Sequence, residues 1–170
     1  VIRSEFHDGV INSDERMTYT AVHGILTDRD PELLQRYEAL VPMFELMGEL
    51  FVILNTARHR RGSIDFDLNE TQLIMDSGGM VEAIVALERN IAHRLIEEFM
   101  LLANETVATY LEAQAAPTLY RIHEEPDILK VAKFEEFVSS FDLSLGVPLT
   151  ALKPRHFQKL IERIAGRPEE

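Results

Sequence analysis

A chain of 170 residues with an apolar fraction of 46% is long enough to bury the core of one domain, or of a sizeable part of one. It holds no cysteine, which excludes a disulfide framework and a thiolate ligand or nucleophile, and no apolar run approaches the ~20 residues of a membrane-spanning helix. The net charge of −12 argues against nucleic-acid binding by the surface as a whole but leaves room for a local basic channel; with no signal-peptide pattern at the start, a cytoplasmic location is the default expectation.

In chain order, Val1–Phe6 and Gly9–Ser13 read as short strands or extended segments around an Asp8-Gly9 turn. The chain enters that strand-like sequence without a methionine and so reads as a piece of a longer protein. Thr18 or Thr20 can cap a short helix carrying Ala21, Val22, Ile25 and Leu26. Asp30-Pro31-Glu32 is a stronger helix start, with an acceptor at the cap, proline in the first turn and an acid beside it. That pattern runs to about Arg60, is kinked or divided by Pro42, and stops at Gly62. Its last turn carries Arg58, His59, Arg60 and Arg61, cations that suit either the negative end of a helix dipole or a phosphate.

From Ser63 the period changes. Ser63–Asp67, Thr71–Met75 and Met80–Leu87 are strand candidates, with Asp76-Ser77-Gly78-Gly79 as the turn between the last two. Phe66, between Asp65 and Asp67, reads from the residues alone as a core aromatic. Glu88–Leu111 is then the longest unbroken helical stretch. Leu95, Ile96, Phe99, Leu102, Ala103, Thr106, Val107 and Tyr110 share one wide face, Met100 extends it and Leu101 stands nearly opposite. This predicts a central helix covered on both sides and mostly buried. Asn90, His93, Glu97 and Asn104 make a polar line along it. Two readings of that line stay open: a structural network joining Glu97 to His93 one turn earlier, or a row facing a ligand.

Beyond Pro117, Thr118–His123 reads as a strand, and Pro126 opens a helix through Phe134, Phe137, Val138 and Phe141. Leu143–Pro148 is a loop, and Lys153-Pro154 begins an amphipathic helix with Phe157, Leu160, Ile161 and Ile164. No repeat or interdomain linker interrupts the chain, so residues 1–170 read as one mixed α+β domain.

No phosphate loop, nucleophile elbow or HExxH stretch is present. His93 and Glu97 can reach one metal from adjacent turns, but the further ligands a site needs are not evident. Asp65, Asp67 and Glu70 come nearest to a carboxylate cluster and instead alternate along an extended segment. The residues alone read as a soluble mixed α and β domain of undetermined function; a noncatalytic acidic helical interaction module and a metal-carboxylate helical protein using His93 and Glu97 are the rival classes to any enzymatic reading.

Several stretches, in this order, resemble the catalytic RNB domain of the ribonuclease II and ribonuclease R family. They are Val1-Ile2-Arg3-Ser4, Arg16-Met17-Thr18-Tyr19, Arg60-Arg61-Gly62-Ser63-Ile64-Asp65-Phe66, the run from Glu88 to Asn104, and Leu119–Glu124 followed by Pro126. The resemblance covers nearly the whole chain, is most specific in the central helix, and leans to the ribonuclease R branch. It implies a mixed α+β, partial RNB-type domain, with a long central helix packed against short antiparallel strands and further helices. It also implies a magnesium-dependent, processive exoribonuclease that degrades single-stranded RNA from the 3′ end, with RNA as partner (bound weakly or not at all by this chain alone), DNA disfavoured and no membrane.

The same resemblance implies residue roles. Tyr19 lies by the ribose near the scissile end, Phe66 stacks on a terminal base, and Glu97 accepts a hydrogen bond from a 2′-hydroxyl, a donor that only RNA supplies. Arg58, Arg60 and Arg61 are candidate RNA backbone contacts. The family's metal-binding aspartates fall upstream of Arg16-Met17-Thr18-Tyr19, outside this chain, and its supporting arginine and flanking OB-fold modules also fall outside. The expectation is a stretch of RNA-channel wall with neither a metal ligand nor a catalytic residue of its own, inactive in isolation.

Overall fold

Capping chemistry sets out the helices of the computed structural model, which describes residues 1–64, 70–87 and 89–167. Among the described residues the architecture is mixed, six α-helices and one two-stranded antiparallel sheet. They group into two units, one of Val1–Leu54 with Leu68–Leu119 and one of Asn55–Asp67 with Tyr120–Glu170.

In the first unit, Thr18 Oγ1 accepts the Ala21 N–H at 3.2 Å and opens α1 (Tyr19–His23). The helix widens into a π-helical turn, Gly24–Asp28, and ends at Arg29 in the left-handed region with φ 54°. Ile25 in that turn is fully buried. Asp30 caps α2 (Pro31–Arg36), its Oδ1 accepting from Glu32 N at 2.8 Å and Leu33 N at 3.2 Å. A turn over residues 37–40 separates α2 from α3 (Val41–Arg61). Pro42 therefore sits in the first turn of α3, where a missing N–H costs nothing, and the division falls just ahead of it.

The expected hairpin forms, from β1 (Glu70–Met75) and β2 (Val81–Leu87), with Leu73 opposite Ile84 and Ile74 opposite Ala83. Asp76 closes the turn: its Oδ1 accepts from Gly78 N at 2.8 Å and Met80 N at 2.9 Å, and Gly79 takes φ +79°. Apolar residues fall on both faces, and Leu73, Ile74, Met75, Val81, Ile84 and Val85 are all exposed.

Asn90 caps the long helix α4 (Ile91–Ala113). Its N-terminal half packs under α1 and buries Ala92, Leu95 and Glu98. The second half departs from the expectation of a mostly buried helix: Met100, Leu101, Val107 and Tyr110 are exposed. An irregular N-terminal arm lies along this half, with the Phe6 and Tyr110 rings 4.3 Å apart. Val1–Phe6 and Gly9–Ser13 are thus not strands, and neither is Thr118–His123. Strand-like residues without a ladder partner have nothing to hold an extended pairing, and all three segments stay irregular. Ser63 and Ile64 are also outside any strand, and the rest of that expected strand, residues 65–67, lies outside the described residues.

In the second unit, Asp127 caps α5 (Ile128–Ser139), accepting from Leu129 N at 2.7 Å and Lys130 N at 3.3 Å. A 3₁₀ turn (Leu149–Ala151) leads to α6 (Pro154–Ile164). Val131, Val138, Leu143, Leu145 and Leu160 form the core, with Leu149, Leu152, Phe157 and Ile164 packed against it. Glu135 ties the intervening loop to α5 by accepting from Ser144 Oγ at 2.6 Å and Leu145 N at 3.0 Å. Gly62, just past α3, has φ +93°, and a Cβ there would stand 2.7 Å from the Arg155 backbone nitrogen, so only glycine lets the chain turn this close to α6. None of the described helices is long and apolar enough to cross a membrane.

Candidate functional site

Tyr19 is the first residue of α1, so the Thr18 cap fixes where its side chain leaves the backbone. Its ring lies nearly parallel to the His93 imidazole, with centroids 4.0 Å apart and 21° between planes. The imidazole covers one side of the phenol, and Tyr19 is 47% exposed.

His93 is held in turn by the start of α4. Asn90 Oδ1 accepts the backbone N–H groups of Ala92 at 3.1 Å and His93 at 3.4 Å, which identifies that atom as the amide oxygen. The same oxygen stands 2.9 Å from His93 Nδ1. An amide oxygen only accepts, so Nδ1 carries a proton and donates it. Asn90, expected as part of a polar line, is first of all the N-cap of the helix.

Glu97 follows one turn after His93 on the same side of α4. Arg89, just before the helix, places Nη2 2.6 Å from Glu97 Oε2, with side-chain exposures of 27% and 41%. A charge-assisted contact of this length fixes the carboxylate while leaving it within reach of solvent. Two of the residues singled out for roles, Tyr19 and Glu97, are thereby brought to adjacent turns at one end of α4, with His93 between them. Asn104 lies farther along the helix and is exposed.

Glu98 carries a signal that the polar line concealed. It is 3% exposed and falls at the same three-residue spacing as Ala92 and Leu95, the buried face of α4. The Glu97-Glu98 pair thus divides, one acid facing outward and one turned into the protein. Arg94, between the two faces, holds its guanidinium 5.7 Å from the centre of the Phe51 ring.

The remaining assignments belong to the second unit. Arg58 is half-buried, while Arg60 and Arg61 are exposed at the C-terminal end of α3. That end is fastened to α6 by His59: its Nε2 is 3.3 Å from Glu162 Oε1, and its carbonyl accepts from Gln158 Nε2 at 3.1 Å. Phe66 lies outside the described residues, as do Asp65 and Asp67. Among the described residues no three of His, Cys, Asp or Glu come together as metal ligands. The described residues do not by themselves assemble a magnesium site.

Comparison with known proteins extends this geometry. A family model described as RNB domain matches residues 1–169. Ribonuclease R of Aquifex aeolicus (strain VF5) is 42% identical over 166 residues, covering 98% of this chain and 23% of that protein. Ribonuclease R of Escherichia coli (strain K12) is 35% identical over 165 residues, covering 97% of this chain and 20% of that protein. The chain thus spans 20–23% of the length of these two relatives. Among solved structures, Mycoplasma genitalium RNase R in complex with ribose methylated single-stranded RNA shares the fold with a TM-score of 0.73 at 23% identity, over 88% of this chain and 23% of that one. The same protein in complex with double-stranded RNA gives a TM-score of 0.74 at 23% identity, over 84% of this chain and 26% of that one. The sequence match runs from the first residue to the last but one, and the relatives found by sequence and by fold carry the same name; this chain belongs to the RNB domain family.

Proposed function

We propose that this chain is part of a processive, magnesium-dependent 3′-to-5′ exoribonuclease that hydrolyses single-stranded RNA to nucleoside monophosphates. Its contribution is a wall of the RNA channel, and it is inactive alone. Tyr19 lies against the ribose near the scissile end, Glu97 accepts the 2′-hydroxyl hydrogen bond, Phe66 stacks on the terminal base, and Arg58, Arg60 and Arg61 meet backbone phosphates. The observation that carries this reading is the arrangement at the start of α4: a half-exposed ring from α1 stacked on His93 and, one turn after His93, a half-exposed carboxylate, each fixed by a second residue.

The chemistry of that pair fits a ribonucleotide. A flat ring with one open side takes the apolar face of a sugar or base, and an ionised carboxylate can only accept, so it rewards a hydroxyl donor that deoxyribose lacks. An acid facing a polyanion would repel phosphates if it stood alone. Arg89 offsets that charge at 2.6 Å. DNA is disfavoured at Glu97 for the same reason that RNA is accepted. A cytoplasmic setting, without membrane attachment, belongs to the same proposal.

A 5′-labelled single-stranded RNA, incubated with magnesium, tests it. The 170-residue chain is expected to leave the RNA intact, while the longer protein carrying the upstream and downstream family segments shortens it stepwise from the 3′ end. Shortening by the chain itself contradicts its assignment as channel wall alone. Intact RNA with both proteins contradicts the exoribonuclease reading and favours a noncatalytic acidic interaction module.

A further inference from the structure

Between the two proposed RNA contacts stands His93, to which the resemblance gives no task. We infer that His93 is a positioning residue for Tyr19, acting as a fixed backing plate that turns the open side of the phenol toward the nucleotide. The inference rests on the reading of Tyr19 as a ribonucleotide contact and adds the means by which that contact is held.

Three observations carry it. The rings are nearly parallel at 4.0 Å, so the imidazole blocks one side of the phenol and restricts its rotation. The imidazole is itself locked, because Nδ1–H donates to the Asn90 oxygen at 2.9 Å and that oxygen is simultaneously tied to the first turn of α4. The order of constraint runs from helix cap to imidazole to phenol. Finally, the stack is not a core contact: Tyr19 is 47% exposed, whereas the residues that anchor α4, Ala92 and Leu95, are 2% and 1% exposed. A ring pair serving only stability would be better placed where it excludes water on both sides. Tyr19 is instead half-exposed, and a ring already fixed before binding loses less rotamer freedom when a nucleotide stacks on it.

The test is an NMR titration of the 170-residue chain with a six-nucleotide oligoriboadenylate carried to millimolar concentration, with affinity read from the α4 amides, for wild type, His93→Ala, His93→Phe, Tyr19→Ala and the His93→Ala/Tyr19→Ala double variant. His93→Ala is expected to weaken binding roughly 3- to 10-fold, the scale of one side chain that must be ordered on binding. His93→Phe restores a flat backing without the Nδ1 donor and is expected to recover most of the loss. In the Tyr19→Ala background, His93→Ala is expected to cost nothing further, since the plate then has nothing to hold. An equal loss from His93→Ala in both backgrounds, or no recovery in His93→Phe, overturns the positioning role while leaving Tyr19 as a contact. Wild-type affinity in Tyr19→Ala, or no shifts at millimolar RNA, overturns the reading of Tyr19 and this inference with it.

Discussion

Replacing Glu97 with alanine is expected to lower the preference of the site for RNA over DNA by roughly 10-fold, the lower end of what a hydrogen bond to a charged group contributes. The lower end is the right one because the carboxylate is 41% exposed and is already engaged by Arg89, so water and the guanidinium both compete with a 2′-hydroxyl. The preference is the quantity to follow, not the affinity. Glu97→Ala also removes a negative charge beside the bound strand, which strengthens phosphate binding to either nucleic acid. Affinity for RNA is therefore expected to fall less than the RNA-to-DNA ratio. Parallel titrations with ribo- and deoxyribo-oligomers of one sequence measure both. A ratio unchanged in Glu97→Ala removes Glu97 from sugar recognition.

Leu95→Ala is expected to destabilise the first unit by about 2–5 kcal/mol, the cost of emptying a buried leucine site. Leu95 is 1% exposed and lies on the side of α4 away from His93 and Glu97, where it anchors the helix that presents them. Against a typical domain stability of about 5–15 kcal/mol, that loss is a large share. Urea unfolding followed at α4 amides should show a clearly lower midpoint. Met100→Ala, at a position 58% exposed on the same helix, should move it little. Equal shifts for the two variants contradict the division of α4 into an anchored half and an exposed half.

That division marks the limit of what periodicity can tell. The spacing of apolar residues along Glu88–Leu111 identifies faces that want cover, and it does so correctly at Leu95. It carries no information on whether another element reaches the far half, and here α1 stops short of Met100 and Tyr110. Caps were readable because their chemistry is local: Thr18 and Asp30 act within a few residues of themselves. The Asp76–Gly79 turn was readable for the same reason. The strands expected at Val1–Phe6 and Thr118–His123 failed because a strand is completed by a distant partner that strand propensity does not name.

The site divides along the same line. Resemblance named Tyr19 and Glu97 separately, and only the packing of α1 on α4 brings them to neighbouring turns. One of the two local readings joined Glu97 to His93 across one helical turn. The structure instead gives Glu97 an arginine from outside the helix and gives His93 the Asn90 cap and the Tyr19 ring, partners set by the helix boundary and by tertiary contact.

The central claim is that this chain itself touches RNA at the start of α4. It is tested most directly by isotope labelling of the 170-residue chain and mapping of the shifts produced by matched ribo- and deoxyribo-hexamers. The account predicts shifts concentrated at Tyr19, His93 and Glu97 with the ribo-oligomer, and a selective loss of the Glu97 shift with the deoxyribo-oligomer. Shifts that avoid these residues, or a Glu97 response that is the same for both oligomers, would contradict it.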